Sequence, residues 1–111
     1  MEQQDEFNYT VKKGEVVTIV FTPIKVGPFA ALAVDGTALT NIGGNTPTFR
    51  FTVTKEPGQS HFGAGRCDFP PGTPADAKYK TRLSASNGGD FTGPTILASF
   101  NEFDFVWNVG A

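Results

Sequence analysis

The chain has 111 residues, 39% hydrophobic and 13% aromatic, with eleven Phe against one Trp and two Tyr. That apolar content supplies one packed core, which excludes global disorder and fits a single domain over residues 1–111. The net charge is −2 and no Lys/Arg cluster exceeds Lys12-Lys13, so composition offers no basic field of the kind that attracts nucleic acid.

Phe7, Tyr9 and Val11 alternate with Asn8, Thr10 and Lys12 and predict a half-buried strand, with Lys12 to Glu15 as a turn. The triplet Asn8-Tyr9-Thr10 matches a glycosylation sequon, but it falls inside this strand and carries no weight. Val16 to Thr22 is apolar on both faces and rich in β-branched residues, as in a central strand, and Pro23 with Gly27-Pro28 closes it. From Phe29 to Ile42, Asp35-Gly36 stands between two apolar runs and predicts a hairpin. Gly43 to Asn45 turns again, and Phe49, Phe51 and Val53 then alternate with Thr48, Arg50, Thr52 and Thr54.

Lys78 to Ser86 alternates Tyr79, Thr81, Leu83 and Ala85 with Lys78, Lys80, Arg82, Ser84 and Ser86. A helix over 74–84 competes, since Thr73-Pro74 reads as a cap and Ala75, Tyr79 and Leu83 are spaced i, i+4, i+8. The length of the alternation favours the strand. Asp76-Ala77-Lys78-Tyr79 resembles, over those few residues, the tyrosine corner of immunoglobulin-like domains. Here the Asp stands three rather than four before the Tyr, and the Cys…Trp…Cys framework is absent. Ser86 to Asp90 is a turn, Pro94 to Phe100 a short strand, and Phe103, Phe105, Trp107 and Val109 alternate to the end, with Trp107 in the core. The charged and hydroxyl-bearing faces of these strands read as ordinary solvated surfaces.

The single Cys excludes an intrachain disulfide. The start, Met1 to Phe7, is polar and acidic, unlike a signal peptide, and no apolar run approaches the roughly 20 residues of a membrane span. The setting leans extracytoplasmic, secreted or periplasmic, with any export signal outside this chain.

Gln59 to Gly72 holds the only His and the only Cys, His61 and Cys67, beside Arg66 and Asp68. Lys55 to Pro74 reads as one long loop, and loops of that length are often functional or mobile. A nucleophilic pair needs the thiolate beside an imidazole oriented by a third group. Arg66 would lower the Cys67 pKa and Asp68 would orient His61, yet Cys67 matches no protease or redox pattern. The bland reading, a small buried hydrophobe, is favoured. His61, Cys67 and Asp68 fall short of the four ligands of a structural zinc site, and no second Cys or His completes it. Gly63 to Arg66 lacks the Lys-Ser/Thr ending of a phosphate loop; instead Gly63 and Gly65 would allow positive φ. Phe62 and Phe69 bracket the loop, either pinning it to the domain or anchoring a partner.

The sequence therefore predicts an all-β chain: an antiparallel β-sandwich of about 7–8 short strands, immunoglobulin-like in the broad sense. With no complete catalytic, metal or cofactor set, it reads as a noncatalytic interaction or structural module binding a protein partner. The candidate partner-binding residues are Phe62, Arg66 and Phe69. The alternative is a carbohydrate-binding module using loop aromatics; the third reading is a small enzyme or metal site around His61 and Cys67.

Overall fold

The computed structural model describes residues 7–87 and 89–111; the acidic start at residues 1–6 and Gly88 of the expected Ser86–Asp90 turn lie outside them. Nine strands run through the described residues: β1 (Phe7–Lys12), β2 (Val16–Ile24), β3 (Ala30–Val34), β4 (Thr37–Ala38), β5 (Thr48–Thr52), β6 (Ser60–Cys67), β7 (Lys78–Ala85), β8 (Gly89–Leu97) and β9 (Glu102–Gly110). They form a five-stranded sheet in the order β1-β9-β6-β3-β4 and a four-stranded sheet in the order β5-β2-β7-β8. The pairings are antiparallel except that of β1 with β9, which is parallel. The two sheets pack on one another as an all-β sandwich.

The alternation read from the sequence sets which side chains face inward. Val17, Ile19 and Phe21 of β2, Tyr79, Thr81, Leu83 and Ala85 of β7, and Phe103, Phe105, Trp107 and Val109 of β9 are all buried. Aromatic rings interdigitate between the sheets: Phe21 with Phe103 at 5.4 Å, Phe51 with Trp107 at 4.7 Å and Tyr9 with Phe91 at 5.4 Å between centroids. Tilted and edge-on pairs of this kind add to the area they bury.

Asp35 and Gly36 both take positive φ, 51° and 81°, between Val34 and Thr37, which face each other. Two successive positive φ values define the hairpin turn whose twist matches the flanking strands. The second arm is shorter than the run Thr37 to Ile42 suggests. After Ala38 the chain leaves the sheet, and Asn41 organises a turn instead. Its Oδ1 accepts from the Gly43 and Thr48 N–H groups at 2.8 and 3.0 Å.

Residues 78–84 are strand rather than helix. Pro74 begins a turn, its carbonyl accepting from the Ala77 N–H at 3.1 Å, and β7 then pairs with β2 and β8. Tyr79 is buried, and its hydroxyl lies 3.0 Å from the carbonyl of Asp68, at the start of its own β6–β7 connection. It also accepts from the Phe29 N–H at 3.1 Å and lies against the Gly27 carbonyl, so it ties the β6–β7 connection to the β2–β3 connection. A tyrosine corner bonds backbone only a few residues upstream, whereas Asp68 is eleven before Tyr79, so the likeness is confined to the local sequence.

β8 extends well before Pro94 because a bulge accommodates that residue. Arg82 faces Thr92 and Lys80 faces Thr95, leaving Gly93 and Pro94 together opposite Thr81. Pro has no N–H to give the ladder. The Thr81 hydroxyl donates to the Pro94 carbonyl, and a Cβ on Gly93 would run into that hydroxyl.

Candidate functional site

The largest departure from the sequence reading is in Lys55–Pro74. Ser60–Cys67 is not loop but β6, a central strand held by β3 on one side and β9 on the other. Its inward residues are His61, Gly63, Gly65 and Cys67. Neither Gly63 nor Gly65 has positive φ. Their role is space: a Cβ on Gly63 would lie 2.6 Å from the Trp107 ring, and one on Gly65 would collide with the Phe103 ring. The β9 aromatics occupy the volume that β6 side chains would fill. The strand therefore carries no run of large apolar residues, and pattern reading passes over it.

His61 and Cys67 stand at opposite ends of β6, about 20 Å apart at the usual strand rise, so they form no nucleophile–base pair. Cys67 is 0% exposed. Burial pushes its thiol pKa up, and the Asp68 charge adds to the rise. Arg66 does not reverse this; it lies in solvent and pairs with Asp68 at 3.0 Å.

His61 is 4% exposed and is oriented by Asp35, not Asp68. Its Nδ1–H donates to Asp35 Oδ2 at 2.6 Å, and its Nε2 accepts from the Thr54 N–H at 3.2 Å. A backbone donor aimed at Nε2 fixes the tautomer with the proton on Nδ1 and occupies the nitrogen a general base would use. Asp35 Oδ1 accepts from the Phe62 N–H at 2.9 Å, and the Lys55 ammonium lies 3.6 Å away. Burial pushes the Asp35 pKa up, but the Phe62 and His61 hydrogen bonds and the Lys55 charge outweigh it, leaving it below its ordinary value. This cluster staples the β3–β4 turn to β6 and to the segment after β5. No group of three or more His, Cys, Asp or Glu among the described residues is arranged to hold a metal ion.

The outward residues of β6 are Ser60, Phe62, Ala64 and Arg66. Phe62 is 55% exposed and faces Val106 of β9, which is buried. The next rows across the sheet run Ala38, Ala33, Ala64, Asp104 and then Ala31, Arg66, Glu102. Small side chains over three strands leave a shallow depression of about 430 Å³, floored by Ala31, Ala33, Ala38 and Ala64 and bounded by Arg66 and Glu102. A second depression, about 310 Å³, adjoins it beside Phe62 and Val106. The Lys55 ammonium sits 5.9 Å from the Phe62 ring centroid.

Of the three sequence candidates, Phe62 and Arg66 share this outer face. Phe69 does not; it is half-buried and meets Tyr79 edge-on at 5.3 Å. Phe29, 48% exposed, lies at the other end of β3 from the Asp35 turn that Phe62 touches, about 17 Å along the strand. The exposed loop-side aromatics thus make no common platform. The alanine rows were missed because they need strand order; the one available signal was that a structureless connection of about 20 residues is unusual in a compact domain.

The chain matches no protein-family model, and no curated protein or solved structure shows significant similarity to it.

Proposed function

We propose that the protein is a noncatalytic binding module that engages a protein partner with the outer face of its five-stranded sheet. The observation that carries this reading is Phe62, an aromatic more than half exposed on a central strand beside an alanine-floored depression. An aromatic anchor beside an apolar hollow, rimmed by charges, has the anatomy of a protein-binding surface. Arg66 and Glu102 supply the rim. The glycan alternative draws less support, since its platform of neighbouring exposed aromatics is lacking among the described residues.

A photocrosslinking phenylalanine analogue at position 62 tests this in cells of the source organism. The expected result is a discrete protein adduct that is lost when Ala64→Arg fills the depression. Phe62→Ala should weaken the interaction by about 2 kcal/mol while costing less than about 1 kcal/mol of stability. Absence of an adduct, or an adduct indifferent to Ala64→Arg, would overturn the assignment.

A further inference from the structure

We infer that the opposite face of the sandwich, the outer surface of the four-stranded sheet, binds a linear anionic polysaccharide. Among the described residues, cations with and without a carboxylate partner lie on different parts of the surface. Lys13, Lys25, Lys55, Arg66 and Arg82 each have a carboxylate partner: Glu56, Asp76, Asp35, Asp68 and Asp90. Of the remaining Lys and Arg residues, Lys12 lies on the five-stranded sheet, whereas Arg50, Lys78 and Lys80 share the outer face of the four-stranded one.

Their spacing is regular. Lys78, Lys80 and Arg82 occupy successive outward positions of β7, about 7 Å apart. Arg50 extends the field across the sheet: it faces Thr18, which faces Ser84 of β7, about 10 Å between outer strands. Asp90 is the one carboxylate on the strands of this face, and it is engaged by Arg82 through bonds of 3.0 and 2.5 Å. Asp76, whose carboxyl feels the Lys78 charge, lies in the loop before β7 and is held by Lys25 at 2.5 Å. The result is a line of positive charge with an unpartnered flank, the arrangement that attracts a repeating polyanion.

The remaining residues of the face select the class of polyanion. The aromatics of this sheet, Phe21, Phe49, Phe51, Tyr79 and Phe91, all take inward positions, with only Phe91 reaching the hollow at the edge of the face, so successive nucleobases find no row of rings to stack on. Among the cations stand hydroxyls, Thr18, Thr22, Thr48, Ser84 and Thr92, with Thr18 accepting from Arg50 Nε at 3.3 Å, and beside Arg82 and Lys78 stand the apolar Val20, Ile24 and Leu97. At the bulge between β7 and β8 lies a hollow of about 460 Å³, lined by Thr22, Lys80, Arg82, Asp90 and Thr92 with Thr81 and Phe91. That volume lies in the usual range of small-ligand clefts, about 300–1,000 Å³. A hydroxyl-lined hollow on a track of cations suits a sugar unit carrying carboxylate or sulfate.

The test is calorimetric titration of the full chain with heparin, polygalacturonate and neutral dextran, with polyadenylate and anionic phosphatidylserine vesicles as rival polyanions. The expected result is saturable binding to heparin or polygalacturonate, weakening as salt rises, and none to dextran; the two polymers separate sulfate from carboxylate. Arg50→Ala with Lys80→Ala should lower affinity roughly tenfold or more. Lys12→Ala with Arg66→Ala, on the other sheet, should leave it unchanged. Both pairs are outward side chains, and unchanged melting temperatures verify that the variants are folded. The inference fails if neither charged polysaccharide binds saturably, if dextran binds as well, if the two double variants lose affinity equally, or if polyadenylate or vesicles bind more tightly. It is independent of the protein-binding face, whose Phe62 crosslink reports on the other sheet.

Discussion

At the scale of single residues, Asp35 joins what was legible to what was not. Its place before Gly36 announced the hairpin turn, because Asp tolerates positive φ and Gly prefers it. Its bond to His61 was invisible, since the two are 26 residues apart and meet only once β3 and β6 pair. Asp68, the sequence neighbour, was the natural candidate and is instead taken by Arg66. The Asp35 carboxyl is held below its ordinary value, so it contributes stability that is complete above the unfolded carboxylate pKa of about 3.9 and is lost as pH falls through the lower folded value. Asp35→Asn keeps a residue that tolerates the turn but removes the charge. Melting curves from pH 7 to pH 2 should show the variant less stable than the parent at neutral pH, with the gap closing below about pH 4. A gap that stays constant with pH would contradict the electrostatic role of Asp35.

At the scale of elements, strands with large inward side chains were readable and β6 was not. In β9 the inward positions hold Phe103, Phe105, Trp107 and Val109, and alternation announces them. In β6 the same positions hold His61, Gly63, Gly65 and Cys67, because the neighbouring strand's rings lie over them. Hydrophobic alternation detects a strand that fills the core and misses one that yields space to a partner. Gly63 and Trp107 should therefore be energetically coupled. Gly63→Ala should cost about 1–3 kcal/mol by overpacking against the Trp107 ring. In a Trp107→Phe background, whose shorter ring vacates the contacted edge, the same substitution should cost less. Urea denaturation of the four proteins measures the difference, and strictly additive losses would mean that Gly63 and Trp107 do not oppose each other.

For the molecule as a whole, composition and alternation identified the sandwich, and net charge concealed its surface. A total of −2 describes neither face: one sheet presents Phe62 beside alanines, the other gathers Arg50, Lys78 and Lys80 with no carboxylate partner among the described residues. Which residues share a face depends on strand order, and β1 pairing with β9 or β2 with β7 joins segments far apart in the chain. The whole arrangement turns on Ser60–Cys67 being an interior strand that buries His61 and Cys67 and displays Phe62. Native-state hydrogen exchange of the amides from His61 to Cys67 tests this most directly. Held between β3 and β9, they should exchange only through global unfolding, with free energies matching those of the β9 amides. Exchange at the rate of an unprotected surface loop would contradict the account, and would return this segment to the reactive connection that its sequence first suggested.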